Sequence, residues 1–213
     1  MEILLGTHNP SKKEYFTRQL AEFDVSFVTL SDLGIEKLPD EDGKNVLENA
    51  QIKAAYYGQF HERVISADSA LYIRELSLTD PRQPGLTIRR AADGHSMTED
   101  EMLAYYAGLA RSLGGQITCW YQDAYAVSNH GVVHGFMDDG PVNDVYSFYM
   151  VDTPHPKRNP GWPLDSISIR RSNGKYFVES QQQAVDAVSE VLMKDYRRRL
   201  MAFYEETLGL KRR

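Results

Sequence analysis

Residues 4–13 read LLGTHNPSKK. A short apolar run stops at Gly6, small and polar residues follow, and Lys12 and Lys13 come next. Residues 2–6 (EILLG) have the length and character of a buried strand bounded by a turn. Ser11 and Glu14 have capping-box spacing, which predicts a helix from Lys12 to about Phe23. A strand-to-helix turn of this kind presents backbone N–H groups at the positive end of a helix dipole, where anions bind readily. Thr7 and Asn9 add side-chain donors, and Lys12 adds a compact charge. A cation in the first helical turn is unfavourable by about 0.3–1 kcal/mol at an exposed position, a cost that an anion would offset. Taken alone, the stretch also reads as a polar turn with a Ser11 cap and solvated lysines. It is not a Walker loop, because G-x-x-x-x-G-K-[ST] is absent.

Working outward, VSFVTL at 25–30 reads as a second strand, followed by an acidic loop. Asn45 and Glu48 repeat the capping spacing and open a helix to about Phe60, with Val46, Leu47, Ala50, Ala54 and Tyr57 on its apolar side. RVISA at 63–67 reads as a strand ending at Asp68. This β-α-β-α-β order predicts an α/β fold with helices packed on a mixed sheet. Residues 74–95, with Pro81, Pro84, Gly85 and Gly94, read as mostly loop. Thr98 and Glu101 cap a helix to about Leu113. Residues 116–128 and 131–137 read as two strands joined in a hairpin at Asn129-His130-Gly131. The proline-rich segment 152–163 precedes a short strand at about 165–170, and 182–207 forms a closing helix.

Bulk properties narrow the function. A chain of 213 residues can form one sizeable core or two small lobes around a cleft. A net charge of −6 argues against a nucleic acid polymer as partner. Cys119 is the only cysteine, so no internal disulfide forms and a reducing compartment is expected. The N-terminus lacks the basic region and apolar core of a signal peptide, and no apolar run approaches the about 20 residues that span a bilayer. The expectation is a soluble, cytoplasmic protein with no membrane partner.

Three stretches carry the chemistry. Beside the first turn stand Asp40, Glu41 and Asp42 before the second helix, with Glu48 in its first turn and Asn49 and Lys53 on one helical face. Asp68 follows an apolar strand, where α/β folds place ligand-binding groups. Each has an ordinary structural explanation by itself. Together they place acids and lysines at one sheet edge, the composition that a magnesium–polyphosphate site requires. His95, His130, His134 and His155 lack metal spacing, so zinc is not expected.

On these residues the chain resembles the inosine-triphosphatase family of purine nucleoside triphosphate pyrophosphatases. Thr7, Asn9 and Lys12 fit its T-x-N-x-x-K turn, residues 40–43 its acidic loop and glycine, and ENAQIKA at 48–54 its E-N-A-x-x-K-A helix. Asp68-Ser69 fits its Asp-Ser step, PGLTIRR at 84–90 its Pro-Gly and arginine, and GWPLDSISI its aromatic segment ending in Asp. The agreement is closest over residues 1–90 and looser over 116–170. The resemblance implies an elongated mixed β-sheet with flanking helices and two lobes around a nucleotide cleft. It implies one domain, 1–213, with one lobe of about 1–70 plus 160–213 and another of about 71–159. The implied reaction is hydrolysis of a nucleoside triphosphate, such as ITP, XTP or dITP, to the monophosphate and pyrophosphate with Mg²⁺, in a homodimer. Carried over, Asp68 is the catalytic residue that aligns water, and Asp40, Glu48 and Asp68 are metal ligands. Thr7, Asn9, Lys12 and Lys53 hold the triphosphate, and Trp162, Asp165 and Arg90 contact the base. The chain departs from the family in two places: Ala67 stands where an acid usually precedes the Asp, and VESQQQAVDAV at 178–188 replaces the Ser-His-Arg triplet that reads the purine. These departures leave two alternatives, a catalytically silent nucleotide-binding or sensor protein and a pyrophosphatase for a different nucleotide.

Overall fold

The structure, a computed structural model, describes residues 1–91, 93–138, 142–179 and 187–213. Among the described residues, seven strands follow the order β2-β1-β3-β4-β6-β7, with β5 on β4. The strands are β1 (Glu2–Leu5), β2 (Ser26–Thr29), β3 (Arg63–Ile73), β4 (Gln116–Asn129), β5 (Val132–Met137), β6 (Phe148–Val151) and β7 (Ser168–Arg170). The sheet is mixed: β1 runs parallel to β2 and β3, whereas β4 pairs antiparallel with both β5 and β6. The α/β expectation therefore holds. The helices are α1 (Pro10–Gln19), α2 (Val46–Tyr57), α3 (Glu99–Ser112), α4 (Val142–Val145) and α5 (Ala187–Leu208). No described helix is long and apolar enough to cross a membrane.

Local chemistry explains most boundaries. Helix α2 is capped by Asn45, whose side chain accepts from Glu48 N–H, and α3 has a full capping box between Thr98 and Glu101. The β4–β5 hairpin turns through His130 (φ 48°) and Gly131 (φ 82°), the left-handed pair that a two-residue turn needs. Helix α1 differs from its expected start. Its cap is Asn9, which accepts from Ser11 N–H, and Pro10 occupies the first turn, where its missing N–H costs nothing. Strand β3 differs too, because it continues through Asp68 to Ile73 rather than ending there. Strand β6 and helix α4 were not expected, and a short 3-10 helix at Pro163–Ser166 shortens the strand expected from 165. The expected start of α5 at 182–186 lies outside the described residues.

The chain divides into two compact units, residues 1–69, 123–139 and 194–213, and residues 70–122 and 140–193. The lobes expected from sequence instead place 123–139 with the second and 160–193 with the first. In the first unit, Ile3, Leu5, Ile65, Tyr125 and Val127 pack with Phe16 and Leu20 of α1 and with Leu200 and Tyr204 of α5. A smaller cluster there joins Leu4, Leu30 and Val64 to Tyr57 of α2. In the second unit, α3 buries Met102, Leu103, Tyr106 and Ala110 with Ile117, Cys119, Phe148 and Met150. The Thr98→Ala variant should lose the α3 capping box and about 1 kcal/mol of stability. Denaturant unfolding checks this; Thr98→Ser, which keeps the hydroxyl, should recover most of the loss.

Candidate functional site

Strand length decides where the site lies. Leu4 and Leu5 of β1 pair with Val64 and Ile65 of β3, and Gly6 N–H reaches Ile65 O at 2.8 Å. There β1 ends, whereas β3 runs on. Ala67 O, two residues beyond Ile65 O, points to the same vacated side by strand periodicity. Lys12 Nζ donates to it at 3.1 Å. The lysine of the first turn thus meets a backbone acceptor that a longer β1 would have used. Gly6 fits this crossing because a side chain there would meet Tyr57 at 3.0 Å and Val64 at 3.1 Å.

Alternation along β3 sends its side chains to opposite faces. On one face lies α2. Ser66 Oγ donates to Ala50 O at 2.7 Å, and Asp68 Oδ1 accepts from Lys53 Nζ at 2.7 Å. Asn49 Nδ2 donates to Asp68 Oδ2 at 3.3 Å, and Lys53 also pairs with Glu41 at 2.8 Å. Asn49, only 4 % exposed, reaches back as well, its Oδ1 accepting from Gly43 N–H at 2.9 Å. A methyl on Gly43 would sit 2.5 Å from that oxygen, closer than atoms can pack. The acidic loop is therefore tied to β3 through one buried amide.

On the other face lies α1. Ala67 packs in the cluster with Phe16 and Leu20, and the Ser69 hydroxyl lies near enough to Asp123 of β4 to favour its charged form. Burial pulls Lys12 below the usual lysine range, with the nearby Lys53 charge adding to the effect and Asp68, Asp123 and Glu41 opposing it. Burial raises the Asp123 carboxyl, with the Asp68 charge adding to the rise, while Ser69 and Lys12 oppose it.

Among the residues expected from sequence, Lys12, Lys53 and Asp68 converge here. Thr7 and Asn9 shape the turn: Thr7 Oγ1 accepts from Asn9 N–H at 3.1 Å and Asn9 Oδ1 from Ser11 N–H at 2.9 Å. They offer an O–H and an NH₂ to a ligand. Glu48 is engaged as a cap, with one oxygen on Lys44 N–H at 2.8 Å and the other on Asn45 Nδ2 at 3.2 Å. Asp40 is exposed in the loop. Among the described residues, no three His, Cys, Asp or Glu side chains are gathered to hold a metal ion. The chemistry of the donors nonetheless fits Mg²⁺, which takes one or two carboxylates and completes its shell with phosphate and water. Each Asp68 oxygen here has one N–H partner and a lone pair to spare. Trp162, Asp165 and Arg90 belong to the second unit. Trp162 is half exposed, Arg90 is exposed, and Asp165 accepts from Asn159 Nδ2 at 2.9 Å, its carboxyl raised chiefly by burial.

Sequence reasoning did not single out Asp123 or the Ser69 hydroxyl. The signal available was an acid in the middle of the apolar strand pattern CWYQDAYAV. It reads equally well as a solvated strand face.

The fold and this cluster define an α/β protein with two lysines and a set of carboxylates gathered at the end of a parallel strand pair. A Ham1 family profile matches residues 3–148, and the chain belongs to that family. A dITP/XTP pyrophosphatase of Thermoanaerobacter pseudethanolicus is 32% identical over 101 residues, 47% of this chain and 49% of that protein. A dITP/XTP pyrophosphatase of Thermus thermophilus is 28% identical over 151 residues, 66% and 70% of the two chains. The chain spans about half the length of the first of these relatives. Among solved structures, a HAM1 protein from Coxiella burnetii aligns with a TM-score of 0.65 at 20% identity, covering 91% of this chain and 99% of that one. The Staphylococcus aureus Ham1 protein aligns at 0.63 and 18%, covering 97% and 99%. These likenesses share the fold.

Two outcomes follow from the geometry. Asn49→Ala should cost about 1–3 kcal/mol, because Asp68 Oδ2 and Gly43 N–H lose a buried partner; unfolding measurements read this directly. Asp123→Asn should stabilise the protein at neutral pH. A carboxyl raised in the fold contributes stability that is complete below its unfolded pKa and is lost as pH rises through the folded one. The advantage of the amide should therefore shrink as pH falls toward about 4, in melting curves recorded across that range.

Proposed function

We propose that the protein is a magnesium-dependent nucleoside triphosphate pyrophosphatase, cleaving its substrate to the monophosphate and pyrophosphate. The observation that carries this reading is the approach of Lys12 and Lys53 from opposite faces of β3 to the stretch that bears Asp68. Family membership and the relatives named dITP/XTP pyrophosphatase support it and favour ITP, XTP or dITP as substrate. On this reading the protein works in the cytoplasm as a homodimer.

The α1 N-terminus, Thr7, Asn9, Lys12 and Lys53 bind the triphosphate and offset its charge. Asp68, held by Lys53 and Asn49, aligns the attacking water and accepts its proton. Asp68 with the loop acid Asp40 or its neighbour Glu41 would hold Mg²⁺; Glu48 joins them only by releasing its cap. When bound, the ion supplies Lewis-acid stabilisation of developing phosphate charge. Trp162, Asp165 and Arg90 as base contacts rest on the sequence resemblance alone. A specific observation keeps a second reading, a silent nucleotide sensor: the Ser-His-Arg triplet is replaced.

A panel of triphosphates including ITP, XTP and dITP, assayed for pyrophosphate with Mg²⁺ and again after chelation, tests the proposal. Turnover should need the metal and fall by about 10³-fold or more in Asp68→Asn, while nucleotide binding persists. Nucleotide binding without pyrophosphate from any substrate would instead establish the sensor. Lys12→Ala and Lys53→Ala should raise KM about tenfold with less effect on kcat; unchanged KM in both would remove the phosphate site.

A further inference from the structure

The ammonium of Lys53 serves two acids at once. Its Nζ lies 2.8 Å from Glu41 Oε2 and 2.7 Å from Asp68 Oδ1, so two of its three N–H groups are committed. Glu41 comes from the acidic loop and Asp68 from β3, and both segments are tied to α2. Asn49, buried one turn before Lys53, donates to Asp68 Oδ2 at 3.3 Å and accepts from Gly43 N–H at 2.9 Å. Lys44 N–H, next along the loop, donates to Glu48 Oε2 at 2.8 Å. Glu41 is thus carried on a loop whose end is fixed to the helix. It is this acid, and not the exposed Asp40, that shares a cation with Asp68. Two carboxylates drawn to one point repel each other unless a positive charge stands between them.

We propose that Lys53 is an exchangeable counter-ion of the Glu41–Asp68 pair: it yields the pair to a divalent cation and passes to the polyphosphate. This rests on the magnesium–polyphosphate reading of the site. With one N–H left over, Lys53 cannot hold both acids and a phosphate chain. Nor can its ammonium stay on the same two oxygens beside a divalent ion, because like charges at contact exclude each other. The group can move, since its charge rides on a flexible four-carbon stem. Lys12 differs: its ammonium donates to a backbone carbonyl, Ala67 O at 3.1 Å, and keeps that partner whatever the acids hold. The two lysines therefore divide the work, Lys12 as a fixed donor and Lys53 as a mobile one. Exchange keeps the charge nearly level at each stage. Before it, one ammonium offsets part of the acid charge; after it, the released ammonium meets a polyanion instead. Without a polyanion the released ammonium has no partner, so Lys53 makes binding of the metal alone weak.

Mn²⁺ suits the same oxygen ligands, and its binding can be followed without any phosphate from the paramagnetic resonance of the free ion. On the whole chain, Lys53→Met should bind Mn²⁺ about tenfold more tightly than the parent protein, because the competing charge is gone. Lys53→Gln, which keeps an N–H for Asp68, should shift binding the same way and carries the test if Lys53→Met does not fold. Lys12→Met reports the through-space effect of a nearby ammonium. At about 0.5 M salt, where such effects are screened, it should change Mn²⁺ binding by no more than about twofold. In the Lys53→Met background, Glu41→Gln should return the affinity to about the parent value, while Asp40→Asn should change it by less than about threefold. Unchanged or weaker binding in both Lys53 variants, an equal gain in Lys12→Met, or dependence on Asp40 rather than Glu41 overturns the assignment. The underlying reading fails separately. Pyrophosphate release that needs no metal refutes the magnesium site itself, whereas metal-dependent release with no gain in the Lys53 variants refutes the exchange alone.

Discussion

The structure of the first unit depends on a mismatch in strand length. β1 stops at Leu5, while its parallel neighbour β3 continues past Ile65. A parallel strand that loses its neighbour leaves carbonyls on that side, and a buried carbonyl without a donor is costly. Lys12 meets the first of these at Ala67. Bringing an ammonium in from water to do so has its own desolvation cost, and nearby carboxylates reduce it: Asp123 on the α1 side, Asp68 and Glu41 with Lys53 on the α2 side. One truncated strand therefore gathers two ammonium and three carboxylate groups around a single backbone edge. That composition leaves room for both a divalent cation and a polyanion without a large net charge.

The helix ends separate a site from ordinary capping. Helix α3 begins with Glu99, Asp100 and Glu101, which complement its dipole, and its cap is complete in itself. Helix α1 has no acid in its first turn and carries Lys12 and Lys13 there. Its cap residue, Asn9, is satisfied locally, and Thr7 supports the turn. The N–H groups of that turn thus keep their positive character. By charge alone α1 is the less stable start, and on the proposed reading an anion beside Lys12 would relieve that instability.

What can be read from sequence is what local chemistry decides. The caps at Asn45 and Thr98, the hairpin at His130-Gly131 and the apolar face of α2 each depend on residues close in the chain, and each is legible. The cap of α1 falls on Asn9 rather than on the expected Ser11, although Pro10 is a local signal of the first turn. The continuation of β3 through Ala67-Asp68-Ser69 is not legible, because small and polar residues at a strand end look like a turn. As a strand they draw their partners from elsewhere in the chain, Lys12 on Ala67 O and Asn49 and Lys53 on Asp68. Strand β6, four residues long, has too little pattern to be recognised without its partners β4 and β7. Asp123 escapes a sequence reading for the same reason as the end of β3, since its partners are remote along the chain.

This division between local and remote information bears on substrate choice. Every residue that the proposed reading ties to phosphate lies in the first unit, where hydrogen bonds join Asn49 and Lys53 to Asp68 and Lys12 to the neighbouring Ala67. The residues that the resemblance assigns to the base are few and separate: Trp162 is half exposed, and the bond from Asn159 to Asp165 is independent of the lysine cluster. On the proposed reading, the chemistry of the anhydride bond and the identity of the base are physically uncoupled in this chain, and the second can change while the first is kept.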